Sequence, residues 1–149
     1  MATACLSAQR SSDPEHRTGA CVVNSENKIV SIGYKGMPQN IGPDALPWTS
    51  TDEEDPLNVK HWFVCHAAMN AVLNKNQENV VSCRMYCTHL PCNECAKLII
   101  QAGIRRVIYA NEPPVDCVKA QAARILFSLV GVALVRFRHK KYIQINLDD

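Results

Sequence analysis

The sequence predicts an α/β fold with a mixed sheet, and three observations support this prediction. Apolar runs of strand length alternate with runs that have helical periodicity along most of the chain. A short turn joins the first two strand-like runs, whereas helical segments separate the later ones. The length of 149 residues suffices for one domain with a substantial core and is too short for two ordinary domains. We therefore expect a single α/β domain over residues 1–149.

Composition excludes several classes of protein. Charged residues make up 20% of the chain and the net charge is +2, so a nucleic-acid partner is not expected. No apolar run approaches the length of a bilayer crossing, so no membrane association is expected. The eight cysteines are not preceded by a secretory leader pattern, which favours reduced thiols in the cytoplasm or nucleus. A basic cluster near the end is interpreted as a solvated face (Arg136, Arg138, His139, Lys140, Lys141).

The first half of the chain predicts a helix, a hairpin and a long loop. Met1–Gln9 has apolar residues at helical spacing without a capping residue before it, so we expect a helix truncated at its start. Ala20–Val23 and Ile29–Tyr34 flank a polar turn and predict an antiparallel hairpin. Gly36–Trp62 is rich in proline and acidic residues, and loops of that length are often functional. We expect it to form a lid or pocket wall.

Helices and strands alternate in the second half. The predicted helices are His66–Leu73, Cys92–Ala102 and Val115–Val130. The predicted strands are Arg84–Cys87, Arg106–Tyr109 and Ala133–Phe137, with a further edge strand over Tyr142–Leu147. Because helical crossovers connect the later strands, we expect these strands to run parallel.

Two short motifs predict a metal site. Pro91-Cys92-Asn93-Glu94-Cys95 follows Cys65-His66-Ala67-Ala68 at about the distance of one α/β crossover. His66, Cys92 and Cys95 would give Zn²⁺ one imidazole and two thiolates, leaving the fourth position open for water. The alternatives are buried thiols with a core histidine, or a redox pair, but the three elements together favour zinc. The other cysteines are interpreted as core or surface residues (Cys5, Cys21, Cys65, Cys83, Cys87, Cys117).

Position 68 lacks the acid/base group that this metal site needs. The pattern H-x-E…P-C-x-x-C is the signature of zinc deaminases, in which the glutamate moves protons and does not bind the metal. Here Ala68 occupies the glutamate position. Glu94, inside the second motif, is not expected to replace it and is interpreted as a solvated or capping residue.

The chain resembles the deoxycytidylate (dCMP) deaminase family of the cytidine deaminase superfamily. The resemblance implies a three-layer α-β-α fold with a mixed five-stranded sheet, zinc as cofactor, assembly into homo-oligomers that are often hexamers, and hydrolysis of the 4-amino group of a deoxycytidine nucleotide. It extends over nearly the whole chain, in Leu6–Ser11 with Asp13-Pro14, Gly19–Asn24, Ile32–Tyr34 with Gly36-Met37-Pro38, Leu46-Pro47-Trp48, the two zinc motifs, Cys95–Ile104, and Ala122-Ala123-Arg124 with Leu126-Phe127.

The resemblance also implies roles for single residues. The backbone at Ala67 would contact the pyrimidine edge, and Asn24 would bind the sugar hydroxyl, with a turn asparagine as the alternative. His66, Pro91 and Trp48 are expected to border the same nucleotide.

Lysine at position 35 departs from the family pattern Gly-Tyr-Asn-Gly, and residues 39–43 depart from the usual Asn-Gly-Cys segment. The loop resembles the allosteric nucleotide site of the family, so allosteric activation is in doubt here. Lys35 could instead bind phosphate, with an exposed loop lysine as the alternative. Lys60 and the cluster around Arg138 are further candidates, so both dCMP and dCTP remain open as the ligand.

Three functions follow from the sequence. The first is deamination of a free deoxycytidine nucleotide, with this chain as a form inactivated at Ala68 that still binds substrate. One substitution inside otherwise intact motifs is typical of deliberate inactivation. The second is a natural pseudo-deaminase that acts as a nucleotide-binding regulatory module. A polynucleotide deaminase is disfavoured, because aromatic residues make up only 6% of the chain.

Overall fold

The computed structural model describes residues 1–42 and 44–138, which form a sheet with helices on both faces. The elements in chain order are α1 (Ala2–Ala8), β1 (Gly19–Val23), β2 (Ile29–Tyr34), a 3-10 turn (Lys60–Trp62), α2 (Ala67–Leu73), β3 (Arg84–His89), α3 (Asn93–Gln101), β4 (Arg106–Asn111), α4 (Val118–Leu129) and β5 (Ala133–Arg136).

The five strands form one mixed sheet in the order β2-β1-β3-β4-β5. β1 is antiparallel to both β2 and β3, whereas β3, β4 and β5 are parallel. The predicted hairpin and the predicted parallel arrangement are thus confirmed. Because β1 and β3 run in opposite directions, the start of β1 lies beside the end of β3, where Ala20 pairs with Cys87.

Helices α1 and α2 pack on opposite faces of the sheet, and two glycines allow their close approach. A Cβ atom at Gly19 would lie 2.1 Å from the carbonyl oxygen of Ala4 in α1. A Cβ atom at Gly33 would lie 2.3 Å from the carbonyl oxygen of Ala67 in α2. Gly33 is paired with Ala20, the neighbour of Gly19, so the two glycines face opposite sides of the pleated sheet. This arrangement confirms the three-layer α-β-α fold.

The buried apolar side chains of the described residues include one large cluster. Met85 and Val107 from the central strands, Ala71 from α2, Ile99 from α3 and Phe127 from α4 are all fully buried within it. Helices α2 and α3 are thereby fixed against the same part of the sheet.

Several boundaries differ from those predicted. α4 starts at Val118 rather than Val115, because the preceding prolines at 113 and 114 lie in a turn that ends at Cys117. β3 continues to His89 and β4 to Asn111, where they still pair. The strand predicted over 142–147 lies outside the described residues. Within the described part of the chain, no helix is long and apolar enough to cross a membrane.

Candidate metal centre and adjoining cavity

The starts of two helices bring the predicted metal ligands together. His66 is the residue before α2, and Cys92 is the residue before α3. Cys95 lies in the first turn of α3 and is buried. Pro91 joins β3 to α3, and its fixed φ angle favours the extended chain that turns Cys92 toward α2. The sheet therefore places one imidazole and two thiols at one edge.

The geometry of this group fits a tetrahedral zinc ion. Nδ1 of His66 lies 3.4 Å from the Sγ atoms of both Cys92 and Cys95. All three atoms lie within 4.8 Å of one another. Bond lengths of about 2.1 Å to nitrogen and 2.3 Å to sulfur separate tetrahedral ligand atoms by about 3.6 Å. The three residues thus fit zinc, and the predicted ligand set is brought together as expected.

The thiol of Cys92 has a lower pKa than the thiol of Cys95. The hydrogen bond from Cys95 lowers the pKa of the Cys92 thiol, burial opposes this effect, and His66 lowers the pKa further. The chain therefore stabilises one thiolate at the centre, which is the form that a metal binds.

A cavity of about 160 Å³ adjoins the centre. Ala67, Ala68 and Pro91 line it, as the sequence analysis predicts for pocket residues. Ala68 is buried, and it lines the cavity together with the three candidate metal ligands. The full lining among the described residues is Thr18, Gly19, Lys35, His66, Ala67, Ala68, Cys87, Thr88, His89, Leu90, Pro91, Cys92 and Cys95.

Lys35 lines the cavity but is neither an exposed loop lysine nor a free cation. Its Nζ lies 2.6 Å from Oδ2 of the fully buried Asp13. Lys60, also fully buried, contacts Oδ1 of Asp13 at 3.1 Å and Oε2 of Glu15 at 2.8 Å. Glu15 accepts a further hydrogen bond from Ser50 in the long loop. Lys35 and Lys60, which the sequence suggests for phosphate binding, are therefore both paired within this ion-pair network (Asp13, Glu15, Lys35, Lys60).

The network changes the pKa values of its members in opposite directions. Burial would raise the pKa of Asp13, but the ammonium of Lys35, the backbone N–H groups of His16 and Glu15, and Lys60 hold it well below its usual range. Burial would lower the pKa of Lys60, but the two carboxylates raise it. Asp13 and Lys60 are therefore both charged at neutral pH.

Asn24 does not line the cavity. It follows the end of β1, five residues or about 16 Å along the strand from Gly19, which does line it. Its side-chain oxygen accepts hydrogen bonds from the backbone N–H groups of Glu26 and Lys28. Asn24 therefore has the turn role that was its alternative, and the predicted sugar contact is not met at this cavity.

Two other predicted contacts are also absent from the lining. Trp48 is half-buried in the long loop, and Arg138 is exposed at the end of the described residues. None of the described residues within 36–62 lines the cavity, and the lid or pocket wall expected there stays a prediction. The start of the loop lies beside the metal motif, where Gly36 pairs with Cys65, and its end joins the ion-pair network through Lys60.

The sequence analysis did not identify Thr18, Thr88 and His89 as site residues, yet all three line the cavity. The hydroxyl oxygen of Thr88 accepts a hydrogen bond from the backbone N–H of Gly19 at 3.1 Å. It also lies 3.1 Å from Nδ1 of His89. For Thr88 and His89 the available signal was their position just before Pro91, because a strand that ends at a metal motif brings its last residues to the metal.

Comparison with known proteins agrees with this geometry. The family model for the cytidine and deoxycytidylate deaminase zinc-binding region matches residues 1–111. Deoxycytidylate deaminase of Homo sapiens is 55% identical over 137 residues, which cover 92% of this chain and 76% of that protein. Deoxycytidylate deaminase of Mus musculus is 53% identical over 148 residues, covering 99% of this chain and 82% of that protein.

The fold also matches solved structures. The structure of dCMP deaminase from the cyanophage S-TIM5 in complex with dCMP and dUMP has a TM-score of 0.73 and 28% sequence identity, covering 91% of this chain and 92% of that one. The apo form of the same enzyme has a TM-score of 0.67 and 29% identity, over the same shares of the two chains. The matched zinc-binding region contains His66, Cys92 and Cys95. The chain therefore belongs to the cytidine and deoxycytidylate deaminase family.

Proposed function

We propose that this chain binds Zn²⁺ through His66, Cys92 and Cys95 and a deoxycytidine nucleotide in the adjoining cavity, and that Ala68 prevents it from completing the deamination that its relatives are named for. The observation that carries the proposal is the position of Ala68, whose buried methyl group lines the cavity beside the three metal ligands. The proposal thus attributes the loss of catalysis to position 68 alone and leaves the binding of zinc and nucleotide intact.

Bound zinc would supply a hydroxide at neutral pH by lowering the pKa of a water molecule. A glutamate at position 68 would accept the water proton, protonate ring N3 and later protonate the leaving amine. The alanine methyl group can do none of these. The other cavity residues are still present to bind and orient the base.

The size of the cavity indicates which part of the ligand it takes. Pockets for whole drug-sized ligands measure about 300–1,000 Å³, whereas this one measures about 160 Å³. It therefore suits the pyrimidine base, with the sugar and phosphate at the mouth. Because Lys35 and Lys60 are already paired with Asp13, nothing in the described part of the chain favours a triphosphate, and dCMP is the proposed ligand rather than dCTP.

Restoring the carboxylate tests the proposal. We expect Ala68→Glu to convert dCMP to dUMP at a rate roughly 10²–10⁴-fold above that of the unchanged chain, since this is the usual contribution of a general acid/base. The loss of cytosine absorbance measures it. Ala68→Gln is the control, because it fills the same space without a titratable group and should stay inactive. If Ala68→Glu binds zinc and dCMP but deaminates neither dCMP, dCTP nor deoxycytidine, the catalytic part of the proposal is wrong.

A natural regulatory module is the second candidate. The ion pair between Lys35 and Asp13 favours this candidate. Lys35 departs from the family pattern, and a lysine with a buried partner is more typical of a natural sequence than of a chance surface substitution. Such a module would bind dCMP with micromolar or tighter affinity and change the activity of an active family member in mixed oligomers. Failure of the Ala68→Glu variant to turn over would place this candidate first.

We further propose that the chain is a single domain that assembles into a homo-oligomer in a reducing compartment, either cytoplasm or nucleus. The exposed apolar residues of α4, Val118, Ile125 and Leu129, support assembly because they lie along one side of the helix. All eight cysteines are free, which supports a reducing environment. Light scattering coupled to size-exclusion chromatography tests the assembly.

A further inference from the structure

A histidine that is not a ligand of the metal centre, His89, lies at the mouth of the cavity. Among the described residues that line the cavity, His89 is the one whose side chain is exposed, so it marks the mouth. It is the last residue of β3 and stands two residues before Pro91. A ligand whose base lies against the metal centre can therefore extend its polar end past this residue toward solvent.

The other cations near the cavity are already engaged. Nζ of Lys35 is paired with Asp13, and the imidazole of His66 faces the two cysteines. No carboxylate belongs to the lining within residues 1–42 and 44–138. An anionic group at the mouth would therefore meet the imidazole of His89, with no carboxylate among the described residues of the cavity wall.

Hydrogen bonding orients the His89 ring. The oxygen of Thr88 accepts the N–H of Gly19, which leaves the Thr88 hydroxyl hydrogen free to donate to Nδ1 of His89. This donation places the ring proton on Nε2 in the neutral imidazole. In the described part of the chain Nε2 has no hydrogen-bond partner, so it is available as a donor. Phosphate oxygens accept hydrogen bonds and do not donate them when ionised, which matches this donor.

The surroundings of His89 favour the neutral form of its ring. Partial burial lowers the pKa of His89, and His16 and Lys35 lower it further by repulsion. The neutral ring still carries its Nε2 proton, so it can donate a hydrogen bond to an anion without being charged itself.

We propose that His89 is a specificity-determining residue of this site, whose Nε2–H binds the 5′-phosphate of the nucleotide and distinguishes dCMP from deoxycytidine. This inference rests on the proposed function, because it takes the base to lie in the cavity. It replaces Lys35 and Arg138 as the expected phosphate contacts. It also assigns Thr88 as the positioning residue that holds the ring.

Calorimetry on the unchanged, zinc-loaded chain tests the proposal without loss of ligand to turnover. The chain should bind dCMP more tightly than deoxycytidine. His89→Leu should weaken dCMP binding by about 10-fold or more, as expected for a hydrogen bond to a charged group, and should change deoxycytidine binding by less than about twofold. His89→Gln keeps a side-chain donor and should recover part of the loss. Arg106→Gln removes a cation at the other end of the neighbouring strand and should affect neither ligand.

Thermal unfolding and zinc content should be unchanged in His89→Leu, because the side chain is exposed. Equal weakening of dCMP and deoxycytidine would overturn the proposal in favour of a structural or base-contacting role. Unchanged dCMP binding in His89→Leu would overturn it as well, and the proposed function would stand. If the unchanged chain binds neither dCMP, dCTP nor deoxycytidine, the proposed function itself is wrong and the role of His89 is wrong with it.

Discussion

At the scale of single residues, burial and neighbours separate the metal ligands from the other thiols. The Sγ atoms of Cys92 and Cys95 lie next to His66, whereas Cys5 is exposed and the buried Cys83 lies beside the side-chain amide of Gln77. Burial without a neighbouring cation raises the pKa of a thiol. In Cys87 it raises the pKa to about 12. Only thiols next to a cation or metal become ligands under neutral conditions.

Removing one ligand should therefore remove the metal. We expect Cys92→Ser and His66→Ala to lose most of the roughly one zinc per chain that the site holds, because two remaining ligands bind zinc weakly. Elemental analysis after dialysis measures this. Cys5→Ser changes a cysteine of the same chemistry at the surface and should keep its zinc. Full zinc content in Cys92→Ser would show that the metal lies elsewhere.

At the scale of elements, one close contact joins the sheet to the helix that holds His66. Gly33 of β2 faces the backbone of α2, where Ala67 begins the helix directly after His66. The contact is to backbone atoms, so rotation of a side chain cannot relieve it. Gly19 makes the equivalent contact with α1, which carries no metal ligand.

A methyl group added at either glycine should lower the unfolding free energy, but only the one at Gly33 should also lower the affinity for zinc. Gly33→Ala should cost about 3 kcal/mol of unfolding free energy, at the upper end for overpacking, and should weaken zinc binding because α2 must move. Gly19→Ala should be destabilised similarly and bind zinc normally once folded. Gly42→Ala, where nothing lies within 4 Å of the added atom, should show neither effect. Urea unfolding and competition with a chelator give the two quantities. Normal zinc affinity in Gly33→Ala would contradict the proposed coupling.

At the scale of the whole molecule, the ion-pair network joins three distant parts of the chain. Asp13 follows α1, Lys35 follows β2, and Lys60 ends the long loop. Buried charges of this kind stabilise little when compared with apolar residues, but removing one partner leaves the others unpaired. The network therefore makes the loop and the cavity wall depend on one carboxylate.

Substitution of that carboxylate should be costly. We expect Asp13→Asn to lower the unfolding free energy by about 3 kcal/mol at neutral pH, since Lys35 loses its buried partner and Lys60 keeps only Glu15. Glu26→Gln breaks an exposed pair with Lys28 and should cost less than about 1 kcal/mol. Urea unfolding of the two variants under identical conditions measures the difference. Equal, small effects would show that the buried network contributes nothing specific.

The same network should set the pH dependence of stability. The pKa of Asp13 lies below its ordinary value of 3.8, so its contribution is fully present above that pH and is lost as the pH falls toward the folded-state pKa. The pKa of Lys60 lies above 10.5, so its contribution is present below that pH and is lost as the pH rises further. We expect a plateau between these limits and a fall below about pH 4 that is shallower in Asp13→Asn. Urea midpoints across this range measure it, and an unchanged acid slope in Asp13→Asn would contradict the assignment to Asp13.

Much of this architecture could be predicted because its signals are local. The hairpin, four helices and the parallel strands each have a periodicity or turn that neighbouring residues determine. Element ends were less predictable. His89 and Asn111 continue β3 and β4 because the strands pair with each other, and pairing is not visible in either segment alone.

The metal ligands and the alanine at position 68 were determined by the sequence itself, because residue type and spacing are properties of short motifs. The rest of the site was decided only by the tertiary structure. Asn24 and Lys35 are both polar residues at strand ends. The antiparallel pairing of β1 and β3 places Asn24 far from the cavity, and Lys35 forms an ion pair with the buried carboxylate of Asp13. His89 becomes a site residue for the same reason: its chemistry is ordinary in the sequence, and only the sheet brings it to the mouth of the cavity.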